Sequence, residues 1–372
     1  MLTGVTELDQ AHLMKVLQFT IRTGGNLMTF GPAGIGKTEM AMQACENEKF
    51  RYVYLNLSVL EAPDMIGLPL VENGKTTYAP PETIPLYNKD ERPVILLVDE
   101  VDKAKPELQN PCLELFQFRA MNGRKMNIHA VIATGNLPDE GAFSLPVSHA
   151  LTNRCGVYRV THAFEPWQEW ATGAGVNPLI VGFLSKNQEQ LLMPPPEGDS
   201  TAYCHPSPRA WTLAAKDLDF TNGSERHLSS VDFQTMLVAG RVGMASAVKF
   251  KVWLEHYRHI EPLIEALVRE GKHPDLDKME IDRQFVCAIS AVNAVAALCR
   301  VTPSGSDKEA HERKLHKTTD NVFGWLRKLP SEFCIGAAKS VMNMKMIQDH
   351  KLTKVAPFME AFLKIRQAMK DE

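Results

Sequence analysis

Short runs of apolar residues alternate with helical spacing over the first 160 positions, and strand signals fade from Trp167 onward. Residues 5–23 place Leu13, Val16, Leu17, Thr20 and Ile21 three and four apart, which predicts a helix ahead of the first strand. Leu27, Met28 and Phe30 supply that strand, Glu39 to Asn47 continues as a helix, and Tyr52 to Leu57 reads as a second strand. Val94 to Val98 is a run of five apolar residues, the pattern of a strand buried on both faces. A helix over Leu108–Phe116, a strand over Ala130–Thr134, a short helix over Pro146–Asn153 and a last strand over Gly156–Val160 complete the series. Alternation of this kind predicts a parallel α/β sheet.

Two interruptions are expected. Pro63, Pro69, Pro80, Pro81 and Pro85 exclude a long helix over 62–92, and Leu68–Glu72 and Lys75–Ala79 flank Asn73-Gly74, a hairpin turn pair. Phe118–Met121 and Lys125–Ile128 flank Asn122-Gly123 in the same way. Beyond Trp167 the pattern predicts an amphipathic helix over Asn177–Leu192, halted by Pro194 to Pro196. Another follows, with Ser207 as cap and Pro208 in its first turn. A long helix over Ser230–His256 carries Phe233, Leu237, Gly240, Met244, Ala247 and Leu254 on one face, with Gly240 and Gly243 expected to allow close helix approach. Thr302–Thr319 is polar, a loop or an exposed helix, and Met342, Met344 and Met346 suit adaptable packing. Val355, Phe358, Phe362, Ile365 and Met369 form a final stripe, for a core face or for a partner. The expected domains are an α/β core over 1–162 and two helical regions, 163–257 and 258–372.

Composition narrows the class. A chain of 372 residues has room for two or three domains, and a net charge of −3 argues against mainly electrostatic attachment to nucleic acid or anionic membrane. The cysteines are odd in number and none are paired as CxxC, so neither a disulfide framework nor a zinc site is indicated. The start, MLTGVTELDQ, lacks the character of a signal peptide, and the most apolar window, Phe285–Cys299, is too short to span a bilayer. A reducing cytoplasm is the expected setting.

The strongest chemistry lies after the first strand. Gly31-x4-Gly36-Lys37-Thr38 is a complete phosphate loop, in which glycines let successive N–H groups turn inward toward phosphate oxygens. The run Gly31, Pro32, Ala33, Gly34, Ile35, Gly36, Lys37, Thr38 and Glu39 is expected to bind the nucleotide. Lys37 supplies a cation for the β- and γ-phosphates and Thr38 a hydroxyl for Mg²⁺. Asp99 and Glu100 end a buried strand at the sheet edge where ligands bind. Asp99 is placed to hold Mg²⁺ through water, and Glu100 to polarise the attacking water, so ATP hydrolysis is expected rather than binding alone.

Three further residues have two readings each. Asn136 closes a strand, either as a turn residue or as an amide that positions the lytic water. Arg154 either complements the dipole of the preceding helix or is an arginine finger aimed at a neighbouring subunit. Arg209, in the first turn of a helix, faces its positive end; it is a surface residue, or it meets a phosphate that offsets that cost.

The order of phosphate loop, hairpin, VILLVDE, second hairpin, ATGN, TNR and SPR resembles that of the AAA+ ATPases. Asp64-Met65-Ile66-Gly67, SHALTNRC and SPRAW resemble the MoxR-like group, related to the dynein-type modules. The resemblance covers about residues 1–257. It implies a P-loop sheet with two β-hairpin insertions (63–85 and 118–128), an α-helical lid over 163–257, and a further helical domain of unassigned role. It implies Asn136 as sensor 1, Arg154 as the finger and Arg209 as sensor 2. It further implies a homo-oligomeric ring, commonly a hexamer, with Mg-ATP between subunits. Its work would be chaperone-like remodelling of a protein client, often beside a von Willebrand A-type partner. Cys155 departs from the pattern, since the group commonly has an aromatic residue there. Two other outputs fit the same core. A nucleic-acid motor or loader would need a basic, aromatic-studded channel, for which Arg119, Arg124 and Lys125 are the local candidates. A slow-turnover, nucleotide-controlled scaffold would be expected to lack Glu100 or Arg154, and both are present.

Overall fold

The computed structural model describes residues 4–82, 85, 91–137, 144–194, 204–221, 230–257, 260–275, 281–300, 308–329 and 351–368. It forms two compact units. The first takes the described residues up to Ala163 together with Pro194, and the second takes Phe164–Met193 and the described residues from Cys204 on.

In the first unit the elements are β1 (Thr6–Leu8), α1 (Gln10–Thr23), β2 (Asn26–Phe30), α2 (Lys37–Asn47), β3 (Tyr52–Asn56) and α3 (Ala62–Ile66). There follow β4 (Leu68–Glu72), β5 (Lys75–Ala79), β6 (Val94–Asp99), α4 (Pro106–Phe118), β7 (Ala120–Met121) and β8 (Arg124–Lys125). Then come β9 (Ile128–Gly135), α5 (His149–Thr152) and β10 (Gly156–Val160). Six strands make one parallel sheet in the order β1-β10-β2-β9-β6-β3. Ile95, Leu96, Val131 and Ile132 are sealed from solvent at its centre, which explains their unbroken apolar runs. The register pairs Phe30 with Gly135, Val98 with Ala133 and Asn56 with Asp99, so the carboxyl ends of β2, β9, β6 and β3 lie side by side.

Both expected hairpins form, β4–β5 and β7–β8, as separate two-stranded sheets. Their turns have positive φ at both central residues, 51° and 71° at Asn73-Gly74 and 54° and 71° at Asn122-Gly123, as a right-twisted two-residue loop requires. The helix expected over 5–23 begins only at Gln10, because Asp9 caps it by accepting the His12 N–H at 2.8 Å. Thr6–Leu8 instead joins the sheet edge beside Tyr158–Val160.

The second unit is helical among its described residues: α6 (Phe164–Ala174), α7 (Pro178–Lys186), α8 (Pro208–Thr221), α9 (Val231–Val242), α10 (Met244–Tyr257), α11 (Glu261–Glu270), α12 (Ile281–Arg300), α13 (Lys308–Leu326) and α14 (Ala356–Ala368). Two expectations change. The helix over 177–192 ends at Lys186, because the Asn187 side-chain amide donates to the Phe183 carbonyl at 2.9 Å and takes over that terminus. The long helix over 230–256 is two, α9 and α10, parted at Gly243 with φ 86° and ψ 158°. A Cβ at Gly243 would lie 2.9 Å from the Cys204 carbonyl oxygen, so the chain turns where no side chain fits.

Two apolar clusters fill this unit. One centres on Trp211, Phe183 and Phe250, the other on Trp325, Phe323 and Phe358, and Trp253 and Tyr257 pack against both. The polar segment before Thr319 is helical from Lys308, with Leu315, Thr318 and Thr319 buried. Of the final stripe, Val355 and Phe358 are buried, while Met369 and the side chains of Phe362 and Ile365 lie outside the described residues. Met342, Met344 and Met346 lie outside the described residues.

Candidate nucleotide site

The loop between β2 and α2 is shaped by its glycines. Gly34 and Gly36 adopt φ of 77° and 94°, and a Cβ on Gly31 would sit 2.4 Å from the Val160 carbonyl oxygen of β10. Ile35, 4% exposed, anchors the loop from below. Gly36 is the N-cap of α2 with no side-chain cap bond, so the positive helix end is left to the loop, with Glu39 in its first turn. Lys37 is buried, and its ammonium donates to the carbonyls of Gly31 (2.7 Å) and Pro32 (2.8 Å) and to Asn136 Oδ1 (3.0 Å).

Neighbouring strand tips deliver the remaining groups. Thr38 Oγ1 donates to Asp99 Oδ1 at 3.1 Å, and the Thr134 hydroxyl from β9 donates to the same oxygen. The Tyr54 hydroxyl from β3 donates to Asp99 Oδ2 at 2.9 Å. Partial burial, then this bond and the charges of Asp99 and Glu100, push the Tyr54 hydroxyl up to about 12. Glu100 follows with φ 57° and ψ 40°, a left-handed conformation uncommon for a residue with a side chain. Its carboxylate accepts from Lys103 Nζ and, at 3.4 Å, from Asn136 Nδ2. Since an ammonium only donates and a carboxylate accepts, these partners orient the Asn136 amide, its oxygen toward Lys37 and its nitrogen toward Glu100.

The structure thus brings together Lys37, Thr38, Asp99, Glu100 and Asn136. Thr134, Tyr54 and Lys103 join them without having been singled out in the sequence. The oxygens of Thr38 and Asp99 are hard ligands that fit Mg²⁺. Among the described residues no group of three or more His, Cys, Asp or Glu could cage a metal.

Arg154 is elsewhere. Its carbonyl accepts from Asn26 Nδ2 at 2.8 Å, so it sits at the start of β2, whereas the phosphate loop follows the end. Five strand residues separate the two by about 16 Å. Its guanidinium donates to Gln117 Oε1 (2.9 Å) and the Ala150 carbonyl (2.6 Å). Arg209 belongs to the second unit, exposed in the first turn of α8, where Ser207 Oγ accepts the Ala210 N–H at 3.2 Å. Arg119, considered for nucleic-acid contact, is committed internally: it donates to the carbonyls of Phe116 (2.7 Å) and Gly24 (3.0 Å), and burial lowers its pKa. No described helix is long and apolar enough to cross a membrane.

Residues 26–155 match the family described as AAA domain (dynein-related subfamily). No curated protein matches the chain. Among solved structures, NtrX from Brucella abortus in complex with ATP is 16% identical, covering 91% of this chain and 68% of its own at a TM-score of 0.38. A RuvB mutant from Thermotoga maritima is 13% identical, covering 72% and 80% at 0.32. Scores of this size carry no argument for this chain, and the assignment rests on the family match. The segment that holds the whole cluster, residues 26–155, is therefore an AAA-type nucleotide-binding domain.

Proposed function

We propose that the chain is an ATPase that hydrolyses Mg-ATP at sites completed by a second copy and applies the turnover to a protein partner. The observation that carries this reading is the Asn136 amide bridging Lys37 and Glu100, which links the phosphate-binding loop to the water-activating carboxylate. Lys37 and the N-terminal N–H groups of α2 bind the β- and γ-phosphates. Thr38 and Asp99 would hold Mg²⁺, which when bound draws charge from the phosphate oxygens. Glu100 orients and polarises the attacking water, and Asn136 keeps that water beside the γ-phosphate.

Arg154 lies at the far sheet edge from its own loop, which supports a role across a subunit boundary, with charge on the transferring phosphoryl group as its target. A ring, six copies in the form the resemblance implies, follows from such head-to-tail contacts. In this reading residues 1–162 are the motor and 163–257 the lid with Arg209 as phosphate sensor. Residues 258–372 then serve output to the client, a von Willebrand A-type protein being one form that partner could take. The MoxR-like assignment rests on DMIG, SHALTNRC and SPRAW.

The test is specific ATPase activity against protein concentration at saturating Mg-ATP, with mass measured on the same samples. A steep rise that tracks assembly is expected. Constant activity in a monomeric sample would refute completion between copies, and silence at every concentration would favour a binding scaffold.

A further inference from the structure

The 3-10 turn Val101–Lys103 that follows Glu100 sends Asp102 inward, where it is 1% exposed. Its carboxyl group is spent on the tip of β9. Oδ1 accepts the Asn136 backbone N–H at 2.9 Å, and Oδ2 accepts the Ser144 hydroxyl at 2.9 Å. A carboxyl group this far from water is retained where donors meet its oxygens. Gly135 leaves it that room: a Cβ there would come within 3.0 Å of Asp102 Oδ1, of Phe30 and of Val101. The contacts form a chain, from Ser144 to Asp102 to Asn136, and from the Asn136 amide to Lys37 and Glu100.

Building on the ATPase reading, we propose that Asp102 is a positioning residue for hydrolysis. By gripping the Asn136 N–H it fixes the strand tip from which the amide reaches Lys37 on one side and Glu100 on the other. Ser144 holds Asp102 in turn. Without that grip the Asn136 backbone is free to shift, and a displacement near 1 Å at a group that orients a reactant lowers rate by about 10²-fold. Substrate affinity is set by the loop and α2, whereas the Asp102 carboxylate is hydrogen-bonded to Asn136 and Ser144.

The experiment is a double-mutant cycle on steady-state ATPase kinetics with binding of a fluorescent ATP analogue measured in parallel. Asp102→Ala should lower kcat roughly 10–100-fold, as loss of outer partners does elsewhere, with KM and analogue affinity within about twofold. Asp102→Asn keeps an oxygen for the Asn136 N–H and should restore most of the rate. Ser144→Ala, which spares the core should Asp102→Ala fail to fold, should give a smaller loss of the same kind. In an Asn136→Ala background neither Asp102→Ala nor Ser144→Ala should lower kcat further. Equal losses in both backgrounds, or losses carried by KM, would overturn the positioning role while leaving the ATPase reading intact. A wild-type protein without turnover would instead sink that reading, and this inference with it.

Discussion

Mixing two inactive variants tests where the active site is completed. Lys37→Ala removes the phosphate cation but leaves Arg154, and Arg154→Ala does the reverse. The loop and Arg154 lie at opposite ends of β2, about 16 Å apart, and the proposal that a second copy supplies Arg154 rests on that separation. Alone, Arg154→Ala should bind ATP and lose about 10³–10⁵-fold in turnover. Its fold should survive, since the guanidinium makes two hydrogen bonds from a half-buried position, worth about 1 kcal/mol each. In an equal mixture, half the sites have an intact Lys37 and half of those face an intact Arg154. For independent sites, about one quarter of wild-type activity should return. The fraction follows x(1 − x) as the mixing ratio x varies. The assay is phosphate release from variants combined before assembly, with co-assembly verified by a tag on one partner. Normal turnover by Arg154→Ala alone, or silence from a co-assembled mixture, would refute the reasoning.

Other expectations are narrower. Glu100→Gln should retain ATP-analogue affinity and assembly while phosphate release falls about 10²–10⁴-fold, and wild-type turnover would remove Glu100 from its role. Gly243→Ala forces a Cβ toward the Cys204 carbonyl at positive φ, and should destabilise the second unit by about 1–2 kcal/mol in a urea titration. An unchanged midpoint would show that the break between α9 and α10 is not held by this glycine. Tyr54 is raised in the folded state, so its contribution to stability is full below the ordinary tyrosine value near 10 and is lost as pH rises through about 12. Alkaline absorbance titration of Tyr54→Phe should lose amplitude in the late transition, and a loss near pH 10 instead would show that burial and the Asp99 contact do not raise Tyr54 in solution.

The parts legible in the sequence are those whose chemistry is contiguous. Gly31 to Thr38 and Asp99-Glu100 occupy adjacent positions, so spacing alone reveals them, and Asn73-Gly74 and Asn122-Gly123 declare their turns by conformational preference. Thr134 and Tyr54 reach Asp99 only because β3, β6 and β9 pair in one register, a long-range fact that no local pattern encodes. Asp102 belongs to no recognisable motif of the sequence, and its surroundings include Gly135 and Ser144 from over 30 positions away. Arg119 has the appearance of a surface cation, yet besides the nearby Phe116 carbonyl it is held by the carbonyl of Gly24, 95 positions away. Gly243 sits inside an uninterrupted apolar period, and only the approach of Cys204 shows why the helix stops there.

The indole of Trp253 and the phenol of Tyr257 are shared between the two apolar clusters of the second unit, which makes α10 a common wall. A protein cut after Tyr257 would bare both rings, and a shorter piece designed to carry only the nearer helices needs polar replacements there to remain soluble. In the intact chain these two side chains tie α10 to both clusters at once, so a substitution at either should loosen the packing of both.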